Sequence, residues 1–287
     1  MIDETAEEIA DMQTHSSSVV AVKAARSLSE LLEREYPTVD EYMQSLERNS
    51  NALRRANRSH ASLYNTQRDI VESVIAADPG SVEKAREYTH EAIERVVERV
   101  ETGKRRAANE AVSLLSEADT LLTHDYSTTV LSAIARAVEE GKEFTVYVTE
   151  GRPRFLGRKM ARRLAEFESV ETILLVDSAS GHYLPECDRV VVGMDCIVED
   201  TLYNRVGTYP IATTAADIGV PMSVLGSSAK LIDSGFEFEN EHRARSEVML
   251  EPAEGFEIVN PAYDATPTRL LDSVITDKGI IEPREPK

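Results

Sequence analysis

The first 115 residues carry a helical pattern. Between residues 5 and 115, apolar side chains recur about every 3.6 positions, and β-branched runs with strand alternation are scarce, which predicts amphipathic helices. Turn residues divide this region into helices that we expect to begin near Thr5, Val39, Asn49 and Val82, with a further boundary at Ser16 to Ser18, where one helix could stop and another be capped. Ser81 is expected to cap the last of these helices, because a serine hydroxyl accepts a hydrogen bond from a free N–H group of the first turn.

Beyond Glu117 the pattern changes to short apolar strands that alternate with helices. Strands are predicted at residues 120–123, 144–148, 172–176, 190–192 and 222–225, and helices at 128–139, 156–167 and 211–218. This alternation is typical of βαβ units with a parallel sheet. The predicted fold class is α/β, with a helical N-terminal domain (1–116) followed by a Rossmann-like parallel-sheet domain (117–287). A length of 287 residues also favours two domains.

Polar residues gather where these strands end. They follow the first four strands at residues 123–127, 149–153, 177–182 and 193–195. Ligands bind at the carboxyl edge of open parallel sheets, so these segments predict a crevice. The polar residues in these segments also have explanations that involve no ligand. Asp125 or Ser127 could cap a helix, Glu150 and Arg152 could form an ion pair, and His182 could be an ordinary loop residue.

An anion has plausible partners further along the chain. Residues Asn204 to Thr208 are expected to open an Ala-rich helix, whose first turn would offer free N–H groups, and Lys230 follows the next strand. The motifs of nucleotide hydrolysis, dinucleotide binding, serine hydrolysis and zinc catalysis do not occur in the sequence. We therefore expect no cofactor and no metal.

Composition narrows the class of protein. The formal net charge is −19, with 51 acidic and 32 basic residues, which is typical of proteins from a high-salt cytoplasm and argues against direct nucleic-acid binding. The acidic start MIDETAEEIADM does not resemble a signal peptide, and no apolar run approaches the roughly 20 residues that cross a bilayer. We expect a cytoplasmic protein of a halophile, with Cys187 and Cys196 as buried, reduced thiols.

Four ordered motifs suggest a family. They are Thr123-His124-Asp125-Tyr126-Ser127, Glu150-Gly151-Arg152-Pro153 through Gly157, Gly193-Met194-Asp195 with Asn204-Arg205-Val206-Gly207-Thr208, and Asn260-Pro261-Ala262-Tyr263-Asp264-Ala265-Thr266-Pro267. Together they resemble the α, β and δ regulatory subunits of translation initiation factor 2B and their archaeal relatives. That family shares a fold with ribose-1,5-bisphosphate isomerase and methylthioribose-1-phosphate isomerase.

The resemblance implies a helical N-terminal domain, a Rossmann-like C-terminal domain and dimerisation through the latter. The isomerase members move protons with a Cys and an Asp. Asp195 matches that Asp, but Asp125 stands in place of the Cys, and His15-Ser16-Ser17 stands where the isomerases have a phosphate-binding Arg-Gly-Ala segment. These departures favour a non-enzymatic, regulatory subunit of the archaeal factor. Its expected partners are further copies of itself, the initiation factor 2 α subunit, and a sugar phosphate or nucleoside monophosphate.

The alternative is an isomerase that converts an aldose phosphate such as ribose 1,5-bisphosphate to a ketose phosphate. In that case Asp195 and Asp125 would transfer protons. The ligand site in either interpretation comprises Arg152, Asn204, Arg205, Lys230, Glu150 and Ser127.

Overall fold

A computed structural model describes residues 2–11, 17–58, 60–251 and 254–283. The chain divides into two compact units, Met1–Thr102 with Ala229–Glu239, and Gly103–Ser228 with Asn240–Lys287. The first unit is mainly helical and the second contains a mostly parallel sheet. The predicted α/β fold class is therefore confirmed.

The helices of the first unit enclose an apolar core. They are α1 (Ile2–Asp11), α2 (Ser17–Ser27), α3 (Val39–Ala56), α4 (Ala61–Ala76) and the first part of α5 (Val82–Val112). Ser81 caps α5 as predicted, because its hydroxyl accepts a hydrogen bond from the Lys84 N–H at 3.3 Å. Residues 15–17 stand where the isomerases have a phosphate-binding segment, and of these His15 and Ser16 lie outside the described residues.

The predicted helix start at Asn49 is wrong, because α3 continues through it. Tyr42, Leu46 and Leu53 are fully buried, and their spacing of four and seven residues keeps them on one face of a single helix. Continuous burial of that face outweighs the polar residues 49–51, which we expected to break the helix. The helix ends at Ala56, because the backbone of the next residue, Asn57, is extended.

A later segment of the chain belongs to the helical unit. Residues 229–239 include a two-residue strand, β8 (Leu231–Ile232). The buried Asn65 side chain donates hydrogen bonds to the carbonyls of Ala229 at 2.9 Å and Leu231 at 2.8 Å. The Tyr64 hydroxyl donates to the Gly235 carbonyl at 2.6 Å. These bonds from α4 fix the segment.

The second unit is built on a seven-stranded sheet. Its strands are β1 (Thr120–His124), β2 (Phe144–Thr149), β3 (Val170–Leu175), β4 (Arg189–Gly193), β7 (Met222–Leu225), β10 (Ser273–Thr276) and β11 (Gly279–Ile281). Their order is β11-β10-β7-β4-β1-β2-β3, and every neighbouring pair is parallel except β10–β11. All five predicted strands occur, and the predicted parallel sheet is confirmed.

Helices follow the strands as the alternation predicted. They are α6 (Thr128–Glu139), α7 (Leu156–Leu164), α8 (Ser180–Tyr183) and α9 (Thr208–Ile218). The Ser127 hydroxyl begins α6 by accepting a hydrogen bond from the Val130 N–H at 3.3 Å. Val130, Ile134 and Ala137 are buried in the core of this unit. Capping and an apolar stripe together explain why α6 has the predicted bounds.

The strand order creates a crevice between β1 and β4. From β1 the chain adds β2 and β3 on one side, then returns to add β4, β7 and β10 on the other. Loops leave neighbouring strands in opposite directions at such a switch point, which is where ligands bind in open α/β sheets. Asp125 and Asp195 follow the two strands that flank it.

A small antiparallel sheet was not predicted. β5 (Cys196–Val198) and β6 (Thr201–Arg205) form a hairpin, and β9 (Tyr263–Pro267) pairs with β6. Asn204 and Arg205 therefore end a strand, which corrects the expectation that they open the helix. β9 brings the distant residues Tyr263 and Asp264 beside Arg205 and Asn204.

Two simpler expectations concern cysteines and membranes. Cys187 and Cys196 are buried and are not joined in a disulfide, as predicted. Among the helices in the described part of the chain, none has the length and apolar character needed to cross a membrane.

Replacing Asn65 with Ala tests what fixes the segment 229–239. The change leaves two carbonyls without their amide donor, so we expect the free energy of unfolding to fall by about 1–3 kcal/mol. Urea denaturation measures that change, and hydrogen exchange should show lower protection in residues 229–239.

The matched control is Gln44→Ala, which removes an amide from an exposed position of α3. We expect it to change stability by less than about 0.5 kcal/mol. Equal effects of the two substitutions, or unchanged protection in Asn65→Ala, would contradict the assigned role of Asn65.

Candidate functional site

Asp125 begins the site directly after β1. Its backbone is left-handed, with φ of 59°, and its side chain is only 9% exposed. Gly151 approaches it closely after β2: a Cβ on that residue would lie 2.7 Å from Asp125 Oδ1, which is closer than atoms tolerate. Gly151 also has a positive φ of 70°, so glycine is required there on both grounds.

Arg205 joins the two predicted acidic residues. Its Nε lies 3.6 Å from Asp125 Oδ2 and 3.7 Å from Asp195 Oδ2. Its guanidinium carbon lies 4.9 Å from the centre of the Tyr263 ring, within the range of a cation–π contact. The end of β6 and the start of β9 therefore hold one cation between two carboxylates.

Burial and neighbouring charges determine the pKa values of Asp125 and Arg205. Desolvation raises the pKa of Asp125, and the charges of Asp195 and Asp177 add to that effect, while Arg205 and His124 oppose it. Burial by itself would lower the pKa of Arg205, but its acidic surroundings outweigh that effect and the pKa is raised. Arg205 therefore stays charged, whereas Asp125 favours its protonated form.

Tyr263 also keeps its proton. Burial, followed by the charge of Asp195, raises the pKa of Tyr263 to about 12. The phenol is therefore neutral at ordinary pH and presents its ring face to Arg205.

His124 fixes the loops around Asp125. Its Nε2 lies 2.8 Å from the Val206 carbonyl and its Nδ1 lies 2.6 Å from Thr149 Oγ1. A carbonyl only accepts, so Nε2 carries a proton and donates it to Val206. Gly207 permits this packing, because a Cβ there would lie 2.6 Å from the imidazole ring.

Asp177, after β3, holds the loop that follows β2. Its carboxylate accepts hydrogen bonds from the Gly151 N–H at 2.8 Å and the Arg152 N–H at 2.7 Å. Together with the His124 contacts, these bonds tie the ends of β1, β2 and β3 to one another. The Arg152-Pro153 peptide, in the loop that follows β2, is cis.

A crevice opens beside Asp125 and Arg205. It is narrow: its cavity volume is about 30 Å³, and the figure rises to about 350 Å³ only when all empty space, including open solvent, is counted. Its lining residues are His124, Asp125, Gly151, Arg152, Pro153, Arg154, Leu156, Arg205, Val206, Arg243, Asn260, Pro261 and Ala262. Of the predicted site residues, Asp125, Arg152 and Arg205 line it, and Asp195 is connected to it through Arg205.

Other predicted residues have structural partners. Ser127 caps α6. Glu150 Oε2 lies 2.7 Å from Arg158 Nη2. Glu150 therefore forms its ion pair with Arg158, and not with Arg152 as the sequence had suggested. Asn204 donates to Thr208 Oγ1 at 3.0 Å. Their roles toward a ligand stay predictions.

The expected anion site at the start of α9 is already occupied by the protein. Asp264 Oδ2 accepts hydrogen bonds from the N–H groups of Gly207 at 2.8 Å and Tyr209 at 3.0 Å. An internal carboxylate therefore takes the place that we had expected a ligand anion to occupy.

Sequence reasoning missed two residues of the site. Arg154 and Arg243 line the crevice, and Arg243 comes from a loop with no regular pattern. Asp177 lies in one of the predicted polar segments, but its hydrogen bonds to the loop after β2 were not predicted. Lys230 lies in the segment that belongs to the helical unit, so its contribution stays a prediction.

Comparison with known proteins places the chain in a family. A model of the initiation factor 2 subunit family matches residues 13–283. Ribose 1,5-bisphosphate isomerase of Haloferax volcanii is 30% identical over 97% of this chain and 88% of its own length. The enzyme of that name from Methanocaldococcus jannaschii is 30% identical over 99% and 92%.

Solved structures have the same fold. Translation initiation factor eIF-2B of Pyrococcus horikoshii OT3 matches with a TM-score of 0.78 and 27% identity, over 98% of this chain and 97% of its own. The structure of 5-methylthioribose 1-phosphate isomerase from the same organism matches with a TM-score of 0.74 and 21% identity, over 98% and 84%.

The expectation of a regulatory translation-factor subunit is wrong on this comparison. Six archaeal relatives, each 30–31% identical over nearly all of this chain, have the name ribose 1,5-bisphosphate isomerase. The absence of the thiol had led us to favour a non-enzymatic role, but the full-length similarity supports the isomerase alternative. The chain belongs to the initiation factor 2 subunit family.

Proposed function

We propose that this protein is an aldose–ketose isomerase that acts on a ribose phosphate. The observation that carries the proposal is the pair of carboxylates, Asp125 and Asp195, held by one guanidinium at the switch point of a parallel sheet. The names of the similar archaeal proteins support the same reaction class.

The chemistry requires a proton donor and a proton acceptor. When a cyclic aldose 1-phosphate becomes an open-chain ketose 1-phosphate, the bond between C1 and the ring oxygen breaks. The ring oxygen gains a proton, and a proton is removed from C2, which leaves an enol phosphate. The enol then loses its hydroxyl proton as the C2 ketone forms, and C1 gains a proton.

The environments of the two carboxyl groups suit different roles. Asp125 is buried and has a raised pKa, so it can donate a proton to the ring oxygen and later regain one from the enol hydroxyl. The Asp195 side chain is 24% exposed, and it would take the proton from C2 and return it to C1. At the end of the cycle both carboxyl groups have returned to their initial protonation states.

A protonated Asp125 also reduces repulsion of the substrate. Two ionised carboxylates beside a phosphate would be unfavourable, whereas a neutral Asp125 leaves one negative charge for Arg205 to offset. In this proposal Arg152, Arg205, Asn204 and Lys230 hold the ligand, and Asp125 replaces the thiol used by isomerases of the family.

The first test is turnover. The purified protein, incubated in molar KCl with ribose 1,5-bisphosphate, should form the corresponding ketose bisphosphate, which ³¹P and ¹³C NMR would identify. Absence of a ketose product with ribose 1,5-bisphosphate and with ribose 1-phosphate would contradict the proposal.

The second test separates the two carboxyl groups. Asp125→Asn and Asp195→Asn should each lower kcat by about 10²–10⁴-fold, because each removes a proton-transfer group. Asp125→Cys should retain more activity than Asp125→Asn, since a thiol can still exchange a proton.

The matched control is Glu168→Gln, which neutralises an exposed carboxylate of the same unit and should leave kcat unchanged. An Asp125→Asn variant with the kcat of the unmodified protein would show that Asp125 does not transfer a proton.

The third test is the pH dependence of stability. Because the pKa of Asp125 is raised on folding, the folded state binds more protons than the unfolded state between the ordinary value of about 4 and the raised value. Ionisation of Asp125 therefore costs stability as pH rises through that window, by about 1.4 kcal/mol for each pKa unit of elevation.

Asp125→Asn removes this cost. Its stability relative to the unmodified protein should increase as pH rises from about 4 to 8, measured by urea denaturation at fixed salt. For Glu168→Gln we expect no such trend. If the stability of Asp125→Asn relative to the unmodified protein instead increased as pH fell from 8 to 4, the burial of an acidic proton at this position would be contradicted.

A further inference from the structure

Arg205 is attracted by two carboxylates, but neither of them fixes its orientation. Its Nε lies 3.6 Å from Asp125 Oδ2 and 3.7 Å from Asp195 Oδ2, whereas charge-assisted hydrogen bonds between such groups are about 2.7–2.9 Å long. The Arg205 side chain is also only half-buried, so it has room to turn towards one acid or towards solvent. A further contact is needed to keep the guanidinium between the two acids.

The Tyr263 ring supplies such a contact. The guanidinium carbon of Arg205 lies 4.9 Å from the ring centre, within the range of about 6 Å over which an aromatic face attracts a cation. Tyr263 is buried, and a cation–π contact is stronger when water is excluded from it. The ring therefore supports the guanidinium while the carboxylates attract it.

The small antiparallel sheet fixes the ring beside Arg205. Tyr263 and Arg205 are opposite each other in the pairing of β9 with β6, and opposite side chains of such a pair interact. Asn240 holds both polar groups of the Tyr263 backbone. Its Nδ2 donates to the Tyr263 carbonyl at 2.9 Å, and its Oδ1 accepts from the Tyr263 N–H at 3.3 Å. The ring thus has a set position from which to orient the cation.

The neutral phenol suits this position. Burial, followed by the charge of Asp195, raises the pKa of Tyr263 to about 12, so the ring adds no negative charge at ordinary pH. A phenolate would compete with the carboxylates for Arg205, whereas a neutral ring leaves the charge of the site unchanged. Asp195 is tied to the same small sheet, because its N–H donates to the Tyr203 carbonyl at 3.1 Å.

We propose that Tyr263 is a positioning residue of the site, whose ring face holds Arg205 midway between Asp125 and Asp195. This inference rests on the proposed isomerase function, since it explains how one cation serves both proton-transfer groups. Without the ring, the guanidinium would turn towards solvent or towards one acid, and the balance between the two carboxyl groups would be lost.

Two substitutions at position 263 isolate the ring face. Tyr263→Phe removes the hydroxyl and keeps the ring, whereas Tyr263→Met also removes the ring but leaves an apolar side chain in its place. We expect Tyr263→Met to lower kcat by about 3- to 30-fold, the change that corresponds to the loss of one cation–π contact. Tyr263→Phe should change kcat by less than about twofold, because it retains that contact.

A third variant keeps the shape of the ring, in case Tyr263→Met does not fold. Pentafluorophenylalanine at position 263 has a ring of similar outline, but its fluorines withdraw electrons from the face that would attract the cation. It should therefore behave as Tyr263→Met does. Thermal melting shows which variants are folded.

Two NMR measurements test the inference without turnover. Hydrogen exchange of the Arg205 Nε–H, assigned by the loss of its signal in Arg205→Gln, should be about 3- to 30-fold faster in Tyr263→Met and unchanged in Tyr263→Phe. The ¹³C signal of the Asp125 carboxyl should titrate at higher pH in Tyr263→Met, because the opposing cation is held less firmly. In Tyr263→Phe it should titrate as in the unmodified protein.

The matched control is Tyr88→Met in the helical unit. Lys84 Nζ lies 5.9 Å from the centre of the Tyr88 ring, so this variant also removes an aromatic ring from a cation. It should leave kcat, the exchange of the Arg205 Nε–H and the titration of Asp125 unchanged.

The outcomes separate this inference from the isomerase proposal. Faster Arg205 exchange and a higher Asp125 titration in the variants without an electron-rich ring, but not in Tyr263→Phe, support the inference even if no ketose is formed. Turnover that is alike in all variants overturns the inference and leaves the isomerase proposal intact. Equal effects of Tyr263→Phe and Tyr263→Met would assign the role to the hydroxyl, and a lower Asp125 titration in Tyr263→Met would indicate entry of water; either result also overturns the inference.

Discussion

The site depends on one half-buried cation, Arg205, between two carboxyl groups. Arg205 reaches Asp125 and Asp195 at similar distances, and this is feasible only because β1 and β4 are neighbours whose following loops diverge. His124 and Asp177 then tie the surrounding loops to that arrangement. The sheet order thus places the two acids, and the loops determine how much water reaches each one.

Unequal burial gives two chemically similar residues different properties. Burial favours the protonated form of Asp125, while the more exposed Asp195 lies beside the same permanent cation. Carboxyl pairs whose environments differ in this way divide into acid and base roles. A carboxyl group can therefore stand where related isomerases have a thiol, provided that it retains its proton.

The sequence predicted the strands well and the loops poorly. Apolar strands such as residues 144–149 are recognisable because both sides of a central strand are buried, and their polar carboxyl ends identified Asp125 and Asp195. The hairpin β5–β6 and its partner β9 were missed, since strands of three to five residues leave little periodicity. Arg243 comes from an irregular loop, and its position depends on Glu241 and on the Asn260 segment. The missing thiol was also overweighted, which led to the wrong functional class.

The central claim is that Asp125 retains a proton beside Arg205 and Asp195. The most direct measurement is a ¹³C NMR titration of aspartate carboxyl groups in the unmodified protein, Asp125→Asn and Arg205→Gln. The account predicts one resonance that titrates above the ordinary aspartate pKa, is absent in Asp125→Asn, and moves to still higher pH in Arg205→Gln, because the opposing positive charge is lost. A resonance for Asp125 that titrates at or below the ordinary value would contradict the account.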